Sequence, residues 1–374
     1  MALGYVIWNA SPQLIDLGKF EIRYYSLLFA LGFIVGYVIL LRIFRKQGFT
    51  IELLDRLTIY MVISTIIGAR VGHCLFYEFD YYSKHPLEII LPWRGTIGSD
   101  FEFTGFQGLA SHGAAIGILI GIYLFARKTK SSYLWTMDMI VIVTALAGCF
   151  IRLGNLMNSE IYGNPTKSTY GFVYTHDLTK LLTQKYEGTI QRVSYEKMPD
   201  NATIDQDGVP ILLHIKFSRQ VRDEKKAREF GTSILPGDLN RYNFDNNVFL
   251  PGNDTLHYTI EKKENRIWLS ARIGGMPRHP SQIYEAASYL FIFLVLLFIF
   301  YTYQKRLRDG FIFGTFLFLV FAARFFIEFV KQNQETFEEN MSINMGQILS
   351  IPFVVAGLAL MVLKWPKKTA RLDT

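Results

Sequence analysis

Seven stretches of this chain, residues 24–43, 57–77, 108–126, 134–156, 283–303, 311–330 and 343–363, are apolar almost without interruption. A helix that crosses the hydrocarbon core of a bilayer needs ~20 such residues. Inside that core each backbone N–H and C=O must be satisfied within the segment, so runs of this length cross as helices. The sequence therefore predicts an α-helical polytopic membrane protein with seven transmembrane helices. Composition agrees: the 374 residues are 50% hydrophobic and 15% aromatic, with a mean hydropathy of +0.20, which is high for a soluble domain.

The formal charge is +7, but the basic residues form no single patch, so no nucleic acid is expected. Many of them punctuate the apolar runs instead. Arg42, Arg45, Lys46 and Arg56 lie around the first connection, Arg127, Lys128 and Lys130 around the third, and Lys305, Arg306 and Arg308 around the fifth. Lys364, Lys367, Lys368 and Arg371 follow the last run, whereas the alternate short connections carry only Lys84, Arg94 and Lys331. By the positive-inside rule the clustered connections and the C-terminus are cytoplasmic, and the N-terminus lies on the other side. The first 20 residues lack a basic region ahead of a short apolar core, so no cleavable signal peptide is expected. Residues 87–106, with Pro92, Gly95, Gly98 and Gly105, are expected to form a loop on the N-terminal side.

Between residues 164 and 275 the composition turns polar. Residues 209–217 alternate around His214 and Lys216, and residues 257–261 and 266–272 flank a polar tetrapeptide as a hairpin. The expected organisation is a membrane domain of residues 1–163, a β-rich extracytoplasmic insertion of residues 164–275 and a second membrane portion of residues 276–374. The insertion contains two glycosylation-type sequons, at Asn201 and Asn253. Cys74 and Cys149 both fall in apolar runs and suit small core residues rather than a disulfide or thiolate site. No zinc spacing, phosphate-binding glycine loop or internal repeat occurs, and no metal or cofactor is expected.

The apolar runs carry polar residues that need a reason, because ionisable groups at membrane depth face partners or ligands. The densest set closes the fourth run: Arg152, Asn155, Asn158, Ser159 and Glu160, followed by Gly163. Arg152, Asn155 and Ser159 are spaced to share one helical face. Two readings stand here, a buried Arg–Glu staple and a functional site. Tyr25 opens the first run as a belt anchor or a group that reaches a headgroup. Arg70, between Gly68 and Gly72, is a buried pair or a ligand contact. His112, between Ser111 and Gly113, is a packing residue or a general base. Pro280 and Ser281 suit a helix start; the other reading has His279, Gln282 and Glu285, at i, i+3 and i+6, brace a site. Arg324 and Glu328, at i and i+4, are placed to pair. Arg152 and Arg324 approach one membrane face from different helices, and a guanidinium fork matches phosphate oxygens.

Taken in order, Tyr25, SHG at 111–113, RLGNLMNSEIYG at 152–163, HPSQIYE at 279–285, RFFIE at 324–328 and GQILS at 346–350 make a sequence that resembles the prolipoprotein diacylglyceryl transferase family. The resemblance covers all seven runs. It implies transfer of a diacylglyceryl group from phosphatidylglycerol to the lipobox cysteine thiol of a bacterial prolipoprotein, giving a thioether. It also implies that Arg152 and Arg324 handle phosphate, that His112 and Tyr25 are essential, and that Asn155, Glu160, Gly163 and Glu328 are functional positions. Ile151, Ala114 and Ser26 stand where the family carries glycine, and the insertion is longer than the family's usual one. Asn158, Ser111, Gly113, Arg70, His279, Gln282 and Tyr284 complete the expected substrate-binding set. On this reading the partners are membrane lipid and the prolipoprotein signal peptide. Glu160 and Glu328 orient the arginines, and the enzyme sits in the bacterial inner membrane. The alternative from another class is a lipid or solute transporter, which should show broken helices and inverted repeats. A structural scaffold is a third.

Overall fold

The computed structural model describes residues 4–16, 21–91, 93–94, 101–103, 108–198, 208–242, 244, 247–251, 255–263, 265–332, 338 and 341–366. Two short strands, β1 (Tyr5–Trp8) and β2 (Gln13–Asp16), are followed by β3 (Glu21–Arg23) and the helices α1 (Tyr24–Lys46), α2 (Ile51–Phe76) and α3 (Phe79–Tyr82). Then come β4 (Trp93–Arg94), β5 (Glu102–Phe103), α4 (Ser111–Thr129) and α5 (Tyr133–Met157). The insertion holds β6 (Gly171–Tyr174), α6 (His176–Lys185), β7 (Ile190–Lys197), β8 (Val209–Phe217), α7 (Glu224–Glu229), α8 (Leu235–Arg241), β9 (Val248–Phe249), β10 (Tyr258–Lys263) and β11 (Arg266–Gly275). The chain closes with α9 (Ser281–Tyr303), α10 (Phe311–Ile327) and α11 (Met345–Leu363). Pro92, Gly95, Gly98, Gly105, Asn201 and Asn253 lie outside the described residues.

Six helices, α1, α2, α5, α9, α10 (counted to Val330) and α11, are long and apolar enough to cross a membrane. The run expected at 108–126 forms α4, a helix of 19 residues with His112 at one end and Arg127 and Lys128 at the other. Those polar ends lower its hydropathy relative to the six.

By packing, the chain divides into two units. One comprises Met1–Gly32, Gly148–Leu290 and Phe321–Pro352, the other Phe33–Ala147, Phe291–Val320 and Phe353–Thr374. In the second unit α2 and α4 cross at glycines. A Cβ on Gly113 would stand 2.2 Å from the Gly68 carbonyl oxygen, and one on Gly117 would stand 2.2 Å from that of Ser64. Only residues without a Cβ permit this approach, which replaces hydrophobic drive as the source of helix association in lipid. Asp138, 4% exposed, accepts the backbone N–H groups of Gly310 and Phe313, each at 2.7 Å. A side chain from α5 thus caps the start of α10.

In the first unit the insertion forms an antiparallel sheet in the order β10-β11-β8-β7, with β9 paired to β11. Burial alternates along β8 and β11, as a half-covered sheet requires. The inward residues Ile211, Leu213, Ile215, Leu269, Ala271 and Ile273 pack with Leu178 and Leu182 of α6 and Leu235 of α8. The insertion is therefore a sheet with helices packed against its inner face. The expected hairpin is present, with Lys263 paired to Arg266 and Asn265 at φ 57° in its turn. β1 is a parallel partner of β6, with Tyr5 opposite Gly171, and the Tyr5 hydroxyl donates to the Pro210 carbonyl at 2.7 Å.

Candidate active site

The first unit gathers the polar residues from the ends of α5, α9, α10 and α11. Helix α5 carries Arg152 and Asn155 in its last two turns and stops at Met157. Beyond it Ser159 and Ile161 take left-handed conformations, φ 55° and 58°, which non-glycine residues seldom adopt. Ser159 is thus off the helical face that its spacing suggested. The turn folds the Glu160 carboxylate back onto the helix end. It accepts from Asn155 Nδ2 at 2.8 Å and from Asn158 Nδ2 at 3.1 Å.

The next layer comes from the start of α9. Gln282, fully buried, donates to the Glu160 carbonyl at 2.7 Å and accepts from the Tyr174 hydroxyl at 3.0 Å. Ser281 Oγ donates to the Ile161 carbonyl at 2.8 Å. These bonds satisfy the carbonyls that the left-handed turn leaves without helical partners. Gly163 N–H donates to the His279 carbonyl at 2.8 Å. A Cβ on Gly163 would lie 2.4 Å from the Val330 carbonyl oxygen, so three backbone segments meet where glycine alone fits. His279 contacts the Tyr284 hydroxyl at 3.3 Å, and burial lowers its pKa from the ordinary imidazole value.

The arginines differ. Arg152 Nε lies 2.8 Å from Glu285 Oε2, and its Nη1 donates to Asn155 Oδ1 at 3.4 Å. Tyr289, one turn beyond Glu285, lies within electrostatic reach of both Arg152 and Arg324. Arg324 itself, half-buried near the end of α10, has no hydrogen bond or carboxylate partner among the described residues. The expected Arg324–Glu328 pair is not formed. Glu328 Oε2 lies 3.7 Å from Lys331 Nζ, and that same ammonium lies 3.8 Å from Glu285 Oε1. Lys331, which the sequence presents as a loop charge, is 4% exposed. Among the described residues Glu160 touches no arginine directly, and Asn155 links it to Arg152.

Tyr25, the second residue of α1, packs its ring on Gly154; a Cβ there would lie 2.7 Å from Tyr25 Cδ2. At the start of α11 Asn344 and Gln347 cap each other. Gln347 N–H donates to Asn344 Oδ1 at 2.9 Å and Asn344 N–H to Gln347 Oε1 at 3.0 Å, a reciprocal box that satisfies two helix-end donors. Arg278, which sequence reasoning passed over, is 4% exposed and lies over the Tyr162 ring at 5.1 Å.

The remaining expected residues belong to the second unit. Arg70 directs its guanidinium at the Ile89 carbonyl, 3.0 Å, and the Glu88 carbonyl, 2.7 Å. Gly113 lies in the α2–α4 crossing, against Gly68 and Gly72. Ser111 and His112 are exposed in the first turn of α4. Among the described residues no cluster of His, Cys, Asp or Glu could hold a metal ion.

Chemically, the first unit offers two guanidinium groups, one anchored by a carboxylate and the other without a carboxylate partner among the described residues. That arrangement can take an anion with several oxygens.

The comparisons with known proteins bear on the same elements. The family profile described as prolipoprotein diacylglyceryl transferase matches residues 12–363. The protein named phosphatidylglycerol–prolipoprotein diacylglyceryl transferase from Bacteroides fragilis is 33% identical over 97% of this chain and 97% of its own. That of Tolumonas auensis is 36% identical over 97% of this chain and 99% of its own. That of Chloroherpeton thalassium is 29% identical over 95% of this chain and 93% of its own. A match of this extent includes every motif named above, and the chain belongs to the prolipoprotein diacylglyceryl transferase family.

Proposed function

We propose that this protein transfers the diacylglyceryl group of phosphatidylglycerol to the lipobox cysteine of a bacterial prolipoprotein. The observation that carries the mechanism is the Arg324 guanidinium, without a carboxylate partner among the described residues, in the same unit as Arg152, which Glu285 anchors. The two arginines receive the phosphate of the lipid. The cysteine thiolate, the competent nucleophile, attacks the glycerol carbon that bears the phosphate. A C–S bond forms, the C–O bond breaks, and its electron pair leaves with glycerol phosphate. The thiol proton is lost to a base, for which His112 is the candidate on chemical grounds. The arginines stabilise the charge that grows on the departing phosphate, an electrostatic contribution worth ~10²–10³ in rate for one donor. Tyr25, Asn155 and Asn158 position the headgroup, while Glu160, Gln282 and Gly163 hold the turn that carries them.

In this reading α4 also crosses the membrane, as the third of seven spans in chain order. The protein sits in the bacterial cytoplasmic membrane with its C-terminus in the cytoplasm and the 164–275 insertion on the far side. The basic clusters at alternate connections support that orientation.

The test uses purified protein, labelled phosphatidylglycerol and a lipobox peptide in Cys and Ser versions. Label on the Cys peptide alone, with glycerol phosphate released, is expected. Arg324→Ala should reduce transfer by ~10²-fold or more while the protein stays folded. Label on the Ser peptide, or a folded Arg324→Ala protein with normal turnover, would overturn the mechanism.

A further inference from the structure

We propose that Lys331 is a positioning residue that keeps Arg324 available for an anionic group by occupying Glu328. The inference rests on the phosphatidylglycerol reading above and adds a residue to it. On a helix, Arg and Glu at i and i+4 are placed to pair; Arg324 sits in the last turn of α10 and Glu328 opens the 3-10 turn Glu328–Val330 that continues it. A guanidinium already engaged by its own helix has fewer donors for a phosphate. Here that pair is absent. Lys331 Nζ lies 3.7 Å from Glu328 Oε2 and 3.8 Å from Glu285 Oε1, and the lysine side chain is 4% exposed. One ammonium therefore serves the acidic neighbours of both arginines. It takes Glu328 from Arg324 and shares Glu285 with Arg152.

Two further contacts fix the arrangement. Lys331 forms a β-bridge with Gly163, next to the Asn164 N–H that donates to the Val330 carbonyl at 2.8 Å. The other Glu328 oxygen rests against Gly346 of α11, where a Cβ would come within 2.4 Å of it. The carboxylate is thus held between a buried lysine and a bare stretch of helix. Lysine suits the task because its ammonium is a compact point charge, whereas a guanidinium fork would compete for the anion itself.

The experiment compares the full-length wild type with Lys331→Met, Glu328→Gln and the double variant. It reads KM and kcat for phosphatidylglycerol, and equilibrium binding of phosphatidylglycerol without peptide. Lys331→Met frees Glu328 to capture Arg324, so KM and the dissociation constant should rise about tenfold, the scale of one lost charged contact, with kcat changed less. Removing the carboxylate as well should restore both toward the Glu328→Gln values. That rescue is one that a merely structural lysine would not give. A double variant as weak as Lys331→Met, or a folded Lys331→Met with unchanged KM and binding, overturns the proposal. Should Lys331→Met not accumulate as monodisperse protein, the double variant is compared with Glu328→Gln alone. Equal affinities support the proposal and a tenfold weaker double variant overturns it. Wild-type protein that binds phosphatidylglycerol without transferring it would sink the transfer reading, and the order of the binding constants would still decide Lys331.

Discussion

Arg152 Nε stands 2.8 Å from Glu285 Oε2, and the carboxylate is 1% exposed. Charges this deep are tolerated because they are matched, and removing one partner of a buried pair costs about 3–5 kcal/mol. Glu285→Gln keeps the shape and removes the charge. Its thermal midpoint should fall, and a guanidinium displaced by about 1 Å should cost up to ~10²-fold in transfer. Normal transfer by a folded Glu285→Gln protein would take the carboxylate out of the phosphate clamp.

Gly154 lies under the Tyr25 ring, with 2.7 Å between a hypothetical Cβ and Tyr25 Cδ2. The first thing a methyl group meets there is a side chain, so Gly154→Ala should move the phenol rather than unfold α5. Transfer should drop about tenfold or more, with a stability change under ~1.5 kcal/mol. An alanine variant with full activity would show that the position of Tyr25 is not critical.

Asp138 accepts two N–H groups at the head of α10. Asp138→Ala leaves both donors without that partner in a buried place and should destabilise the protein by about 1–3 kcal/mol. Asp138→Asn, which retains an acceptor, should lose less. Equal unfolding midpoints for Asp138→Ala and the wild type would discount the cap.

His176 opens α6 in the insertion, and burial lowers its pKa below the ordinary value. The unfolded chain then binds this proton more readily than the folded one, so stability rises with pH. The contribution is complete while the ring is neutral and is lost as pH falls below about 6.5, the unperturbed imidazole value. Unfolding midpoints between pH 7 and pH 5 should fall less in His176→Gln than in the wild type. Parallel pH curves for the two proteins would exclude the effect.

The helices were legible because a bilayer sets their length and forbids most polar residues along them. Gln282 and Glu285 were legible as braces because their spacing points them to one side of α9. Other features leave no local trace. Nothing in the sequence marks Ser159 and Ile161 for left-handed conformations, since neither is glycine, and the Asn155–Glu160 contact follows from that turn. Lys331 looks like a loop charge to any hydropathy scale; its burial depends on Glu285, far off in the chain. Helical spacing pointed to an Arg324–Glu328 pair because it cannot see a third residue competing for the carboxylate. Arg70 meets backbone carbonyls, which every sequence position supplies and none advertises.

The parallel pairing of β1 with β6 has a consequence for biogenesis. Tyr5 emerges from the ribosome well before its strand partner Gly171, which is made only after the α1, α2, α4 and α5 segments. The N-terminal strand must therefore wait, unpaired, while those helices are synthesised. Loop-closure entropy makes such distant pairing slow. A strand made before four helices is placed only after them.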